Sequence, residues 1–347
     1  MKNKIEVINF IKGYSILSIV LFHYCQGIGV SPMFSRAINF GGTGIHTFLF
    51  ASGFGLYLSY LQRPLPYRDF LKKRFTKIYI PYIFVVTVTA LISLLIPLYE
   101  NSWNNYFSHV FMYKMFSDQL IGSYGYQLWF ISTIIQFYLL FFLIVSMWRW
   151  FPGRSFLALG LLISWGWAAL VLLLHKEEFR NWNSFFLIYL WEFILGMYCA
   201  ERYLNNGYAF WKISKTRLFA IAVAGLTIYS LMAIQFGRPG KIFNDLPGLF
   251  GYGALCLLIY SLHIKLFNRF ILFTSTISYS IFLIHFLVLN LAQAAFRALD
   301  ISWSWVMLIP CIILCYAVAI PLQKFFDRLT RGMLKRQQTQ HLEYGEK

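Results

Sequence analysis

Lys12 and His23 are the residues of this chain whose types and spacing most directly suggest chemistry. Both are ionisable, and both lie in the first apolar stretch, where hydrocarbon would be expected. Eleven steps along an α-helix return to within about 20° of the starting face with a rise of roughly 16 Å, so the two side chains share one stripe. Ionisable residues in lipid are costly and usually face a bundle interior, a partner or a polar cavity. The spacing therefore predicts a functional stripe along the first helix.

Two further ionisable residues lie inside later apolar stretches. Glu192 is the only acidic residue well inside a predicted span, and a buried carboxylate there must be paired or protonated. The sequence leaves two partners open for it, a histidine that it would orient or Lys12 that it would neutralise. His285 is predicted about 20 Å along its helix from the cytoplasmic end, a depth similar to that of His23. A cavity shared with His23 and a merely structural hydrogen bond are both open for it.

A basic cluster follows the second apolar stretch. Its members are Arg63, Arg68, Lys72, Lys73, Arg74 and Lys77. Such a cluster is by default a topological anchor that attracts anionic lipid. Arg74 and Lys77 are three residues apart and share one face at the mouth of the third predicted helix, so we assign this pair, with Lys73 beside it, to a phosphate-bearing ligand.

Two glycines and a histidine mark the start of the second predicted helix. Gly41 and Gly42 either allow close helix packing or leave backbone N–H groups able to meet an anion, and the sequence leaves both roles open. His46 is predicted to line a pocket. Trp129 heads a later helix on the outer side, where it suits an interfacial aromatic belt or a sugar-binding platform.

The elements that must position these residues are membrane helices. The 347 residues are 59% hydrophobic and 12% charged, about half the charge of a soluble domain, and the mean hydropathy is +0.60. Stretches that meet or approach the ~20 residues of a spanning helix lie at 7–26, 44–61, 78–98, 127–147, 156–174, 185–200, 218–236, 249–262, 272–292 and 303–322. We therefore predict an all-α polytopic membrane protein with about ten helices in one bundle.

The distribution of charge predicts the orientation of this bundle. The net charge is +17, and with both termini in the cytoplasm 22 of the 30 lysines and arginines lie in inside segments and seven in outside loops. This asymmetry is the positive-inside pattern, and it accounts for the net charge without a nucleic-acid partner. We expect a multi-pass protein of the inner or plasma membrane with both termini cytoplasmic.

The chain is predicted to be one transmembrane domain, residues 1–323, with a basic cytoplasmic tail at 324–347. No internal repeat or soluble domain is visible, and the longest predicted loops, 99–126 outside and 62–77 inside, are too short for one. The five cysteines form no metal-type CxxC, so neither a metal site nor a disulfide framework is expected.

Several motifs, taken in order, resemble acyltransferase family 3, a family of integral-membrane O-acyltransferases. The matching segments are Phe10-Ile11-Lys12-Gly13 with His23, Gly41-Gly42 leading to Ser52-Gly53-Phe54, Arg74-Phe75-Thr76-Lys77 with Pro81-Tyr82, Leu128-Trp129-Phe130, and Ser278-Tyr279 leading to His285. The resemblance covers most of the chain, and the order and spacing of the motifs are its specific part. Lys12 and Lys77 stand where the pattern often has arginine, so the charge is kept and the bidentate fork is lost. Phe282 stands where it often has tyrosine.

The resemblance implies transfer of an acyl group, typically acetyl, from cytoplasmic acyl-CoA to a hydroxyl of a cell-surface or exported glycan or glycolipid. It implies His23 as general base or acyl relay and Lys12 as its electrostatic support, with Glu192 and His285 in catalytic support. Donor binding falls to Lys73, Arg74, Lys77, Gly41 and Gly42, and acceptor binding to His46, Ser52, Trp129 and Tyr279. The lipid bilayer is a further partner, and a homo-oligomer is compatible with the sequence.

Two other functional classes remain open. A transporter of a glycan or acylated sugar would also need intramembrane polar residues, although the halves of the chain show no convincing symmetry. A non-catalytic scaffold of envelope assembly is the third. Thioester turnover by the purified protein would separate an enzyme from both.

Overall fold

The computed structural model describes residues 6–26, 28, 42–151, 153–207 and 213–345, with side chains described as far as residue 334. Every regular element in these ranges is helical, so the predicted all-α class is confirmed. The α-helices are α1 Glu6–Cys25, α2 Gly44–Gln62, α3 Tyr67–Leu95, α4 Trp103–Val110, α5 Trp129–Trp150, α6 Arg154–Leu173, α7 Arg180–Asn183, α8 Leu190–Asn206, α9 Lys215–Gln235, α10 Gly237–Phe243, α11 Asp245–Ser261, α12 Lys265–Thr276, α13 Ser278–Ala298 and α14 Leu308–Gly345.

Within the described residues, eight helical segments are long and apolar enough to cross a membrane. The count becomes nine if α10 and α11, which meet at an angle of 62°, form one broken span. The predicted number of ten is therefore approximate. The helix α2 is not among the eight, although it has 19 residues, because polar residues such as His46 and Thr47 reduce its mean hydropathy.

Two helix boundaries differ from the sequence prediction. The helix α3 begins at Tyr67, after Pro66 in an extended conformation, so the basic residues from Arg68 to Lys77 are helical and not part of a loop. This segment contains leucine, lysine and arginine and no glycine, which favours continuation of the helix. The predicted ninth span is interrupted at Ile277, between α12 and α13.

The chain forms two compact units. The first comprises residues 1–64 and 133–278. Its helices approach closely at glycines, because a Cβ on Gly13 would collide with the Ile271 carbonyl of α12, and a Cβ on Gly53 of α2 would collide with the Phe193 carbonyl of α8. Gly196 of α8 lies equally close to the α2 backbone. Small residues permit this approach between membrane helices.

The second unit comprises residues 65–132 and 279–347. The Phe84 ring of α3 packs against Phe325 and Phe326 of α14, with ring centroids 5.3 and 5.6 Å apart. The Asn290 amide of α13 donates a 2.7 Å hydrogen bond to the Tyr99 hydroxyl. Aromatic packing and side-chain hydrogen bonds thus support this unit.

Candidate active site

The stripe of α1 that joins Lys12 to His23 is turned into the protein. Ile16 and Ile19 occupy the same helical face between them, four and seven residues after Lys12, and they are 0% and 8% exposed. Lys12 and His23 are themselves partly buried. The middle of this stripe therefore packs against protein, and the two polar residues at its ends are partly covered by it.

Glu192 is bonded to His46, which resolves the alternative that the sequence left open. Nδ1 of His46 lies 2.6 Å from Oε1 of Glu192, and the two side chains are 11% and 0% exposed. The residues are 146 positions apart in the chain. The acid predicted inside a span thus orients a histidine, and that histidine is the one predicted to line a pocket.

The close approach of α2 and α8 positions this pair. His46 and Gly53 are seven residues apart on one face of α2, and Glu192 and Gly196 are four apart on one face of α8. The faces that meet at the glycines are therefore those that carry the histidine and the acid. A second link joins α2 to α1, because the hydroxyls of Ser15 and Thr47 are 2.6 Å apart.

A second buried acid lies beside the pair, and the sequence reasoning missed it. Asp245 is 4% exposed at the start of α11, four residues before the span predicted there. It accepts hydrogen bonds from the indole N–H of Trp191, next to Glu192, and from the backbone N–H of Leu246 at 2.8 Å. The ring of Tyr189 has its centroid 6.1 Å from that of His46. The sequence signal that could have identified Asp245 is an aspartate at the first turn of an apolar helix.

The glycines at the start of α2 differ in their surroundings. Gly41 lies outside the described residues. A Cβ on Gly42 would meet only the Phe22 ring, at an ordinary 3.7 Å, so packing at this position does not require glycine. A Cβ on Gly44 would lie 3.0 Å from the Ser15 carbonyl, which makes it the packing glycine of this turn. Ser52 is partly exposed on α2.

The residues assigned to a phosphate-bearing ligand lie in the second unit, on α3. Arg74 and Lys73 are partly buried and Lys77 is exposed. The Arg74 guanidinium lies 5.4 Å from the centre of the Phe70 ring, which holds the side chain along the helix. The three cations therefore lie on a rigid helix and not on a loop.

His285, Tyr279 and Trp129 also belong to the second unit. His285 is 0% exposed, and its Nδ1 lies 2.9 Å from the Phe282 carbonyl and 3.1 Å from the Ile281 carbonyl. A carbonyl only accepts, so Nδ1 carries the proton and the basic nitrogen is Nε2. The Tyr279 hydroxyl donates to the Ile78 carbonyl at 2.6 Å, which ties α13 to α3. Trp129 is 6% exposed.

The second unit contains a buried cation, Lys114, within the segment 99–126 that the sequence predicted to be an outside loop. Lys114 is 1% exposed, and its Nζ donates to the carbonyls of Ser123 at 2.6 Å and Gly125 at 2.7 Å. His109, 0% exposed, contacts the Tyr82 hydroxyl through Nδ1 at 2.7 Å and the Ser123 carbonyl through Nε2 at 3.0 Å. Burial lowers the pKa of Lys114 well below its ordinary value. Burial, and then the nearby Lys114 charge, hold the pKa of His109 well below its ordinary value.

The residues predicted for the site divide between the units. Lys12, His23, Gly42, His46, Ser52 and Glu192 belong to the first, and Lys73, Arg74, Lys77, Trp129, Tyr279 and His285 to the second. The cavity shared by His23 and His285 stays a prediction. Among the described residues, no group of three or more His, Cys, Asp or Glu side chains is arranged to hold a metal ion.

Comparison with known proteins identifies a family for this chain. Neither the curated proteins nor the solved structures contain a significant match. The acyltransferase-domain model of acyltransferase family 3 matches residues 5–322, which is most of the chain and includes every predicted site residue. The chain therefore belongs to acyltransferase family 3, and it is a membrane acyltransferase.

Proposed function

We propose that this enzyme transfers an acyl group, in particular acetyl, from cytoplasmic acyl-CoA to a hydroxyl of a cell-surface or exported polysaccharide or glycolipid. The observation that carries the proposal is the inward-facing stripe of α1, with Lys12 and His23 at its ends. An anionic donor can rest its head near the cation while its reactive end reaches the imidazole.

His23 is the proposed chemical centre. A neutral imidazole takes the proton of a sugar hydroxyl at ordinary pH, and it can also carry an acyl group between donor and acceptor. Lys12 supports it electrostatically from the donor side. Glu192, through His46, and His285 are proposed to support the reaction.

The residues proposed for donor binding are Lys73, Arg74, Lys77, Gly41 and Gly42. Coenzyme A carries several phosphates, and neighbouring cations three and four residues apart on one helix suit them. For acceptor binding we propose His46, Ser52, Trp129 and Tyr279. Changing Arg74 and Lys77 together to glutamine should raise the KM for acyl-CoA and leave the acceptor KM nearly unchanged. A change in protein yield alone would favour the anchoring role.

We propose that the protein lies in the inner or plasma membrane. Both of its termini are then in the cytoplasm. A cysteine introduced at Ser102, the N-cap of α4, should react with an impermeant reagent added outside. A cysteine at Lys73 should not. The opposite labelling would overturn the orientation and the donor assignment with it.

The decisive experiment follows labelled acetyl-CoA with the purified enzyme in detergent and a panel of glycan acceptors. The variant His23→Ala should lose roughly 10² to 10⁴-fold in turnover if His23 is only a base, and more if it carries the acyl group. The matched control is His175→Asn, an exposed histidine in a loop with φ of 51°, a conformation that asparagine tolerates. Near wild-type turnover by folded His23→Ala would remove His23 from the mechanism. Glycan flux without thioester turnover would instead indicate a transporter.

A further inference from the structure

The pair formed by His46 and Glu192 is arranged to exchange a proton with a substrate. Glu192 occupies Nδ1 of the ring, so Nε2 is the nitrogen through which His46 can act. The side chain of His46 retains 11% exposure, whereas Glu192 has none. A histidine whose one nitrogen is held by a carboxylate, and whose side chain keeps some exposure, has the arrangement of an oriented acid or base.

The contact with Glu192 allows the imidazole to hold a proton. Glu192 is fully buried, and within the described part of the chain its Oε2 has no hydrogen-bond partner. A buried carboxylate is stabilised by a nearby positive charge, by donated hydrogen bonds or by its own protonation. His46 supplies that charge when it is an imidazolium, and it is the ion-pair partner of Glu192 at 2.6 Å.

Contacts between α1 and α2 place His46 along the stripe. Gly42 adjoins Phe22, Gly44 adjoins Ile19, and Thr47 bonds to Ser15, so the two helices are antiparallel. Ser15 lies three residues after Lys12 and eight residues, about 12 Å, before His23. His46, next to Thr47, therefore lies at a depth between the two.

The general direction of helical side chains brings the two histidines nearer in depth. Helical side chains point toward the N-terminus of their own helix. His23 thus leans toward the Lys12 end of α1, and His46, on an antiparallel helix, leans toward the level of His23. A donor that enters from the Lys12 side with its carbonyl at His23 would have its sulfur on the side of His46.

We propose that His46 is the catalytic acid of the transfer reaction and that Glu192 is its positioning residue. The acceptor oxygen attacks the acyl carbon, its proton passes to His23, and the carbon–oxygen bond forms. The carbon–sulfur bond breaks with its electron pair on sulfur, and Nε2 of His46 gives a proton to the thiolate. Exchange with solvent then returns His23 and His46 to their starting protonation. This inference rests on the proposed function, because it requires an acyl thioester donor.

A purely structural role would make His46 a tie between α2 and α8. The glycine contacts already hold these helices together, and a buried ion pair is by itself weak evidence for stability. The test therefore measures the departure of the leaving group. The donors are acetyl-CoA and its oxoester analogue, in which oxygen replaces the thioester sulfur, with an acceptor that the wild-type enzyme uses. The variant is His46→Asn, because the amide nitrogen of asparagine can take the place of Nδ1 while Nε2 is removed.

An alkoxide leaves far less readily than a thiolate, so it depends more on an acid. We expect His46→Asn to lower kcat about 10-fold on the thioester and about 10²-fold on the oxoester, at unchanged unfolding temperature. Glu192→Asp should retain more of the kcat than Glu192→Leu. Equal losses on the two donors, or no turnover of the oxoester by the wild-type enzyme, would overturn the assignment of His46. No turnover of acetyl-CoA by the wild-type enzyme would instead contradict the proposed function.

Discussion

His46 and His109 are both buried histidines, but one is bonded to an acid and the other lies beside a cation. His46 in the first unit contacts Glu192 at 2.6 Å. His109 in the second unit contacts the Tyr82 hydroxyl and Ser123, and the Lys114 charge acts on it. A carboxylate favours the imidazolium, whereas burial beside an ammonium favours the neutral ring. The comparison teaches that the partner, and not the residue type, decides whether such a histidine is suited to proton transfer.

The largest expected effect tests the structural side of this comparison. Lys114→Met removes the donor that satisfies the carbonyls of Ser123 and Gly125. The Ser123 carbonyl keeps His109 Nε2 and the Gly125 carbonyl keeps the Leu128 N–H, so the variant loses two charge-assisted hydrogen bonds. This loss should reduce the free energy of unfolding by about 2 to 4 kcal/mol. Thermal unfolding in detergent measures the loss, and kcat of the remaining folded enzyme should match the wild type. A large fall in kcat with unchanged unfolding would assign this region to the reaction.

A smaller effect is expected where the helices that carry the pair of His46 and Glu192 meet. Gly53→Ala would bring a Cβ into the Phe193 carbonyl, and the shift of the helices should cost about 2 kcal/mol and reduce activity. Gly55→Ala is the matched control, since a Cβ at Gly55 meets nothing within 4 Å. Equal behaviour of the two variants would show that this approach does not position the pair.

The same substitution at both histidines sharpens the comparison further. His109→Asn keeps an acceptor for the Tyr82 hydroxyl and loses the Ser123 contact, so stability should fall by about 1 kcal/mol without a change in kcat. His46→Asn should show the reverse, a lower kcat with little change in unfolding. Unfolding temperature and steady-state kinetics of both variants decide the matter. If both lose only stability, the two histidines have the same kind of role.

The smallest effect is a pH dependence of stability. The pKa of His109 lies well below its ordinary value in the folded protein, so the folded state binds fewer protons than the unfolded state. The contribution of His109 to the free energy of unfolding is therefore fully present above about pH 6.5, the ordinary pKa of histidine. It declines as the pH falls below that value. The groups facing His109 are Tyr82, Tyr124 and Lys114. Between pH 7 and pH 5 the unfolding temperature of the wild type should fall further than that of His109→Asn. Parallel curves of unfolding temperature against pH would contradict this.

The sequence alone determined the helical class, the family resemblance and the shared stripe of Lys12 and His23. These follow from the length of apolar runs and from the helical repeat, both of which are local. The same reasoning placed the start of α3 too late, because a basic segment was taken for a loop. It also required Glu192 to have a partner, since a buried carboxylate must be paired or protonated wherever it lies.

Only the tertiary structure decided which partner that is. The bond between His46 and Glu192 joins residues 146 positions apart, and it depends on the glycine-mediated approach of α2 and α8. The burial of Lys114 depends likewise on the chain returning to offer two carbonyls to its ammonium. A residue's type limits the chemistry that it can perform. Its partner, dielectric surroundings and access to substrate come from packing between segments distant in sequence, which no local pattern encodes.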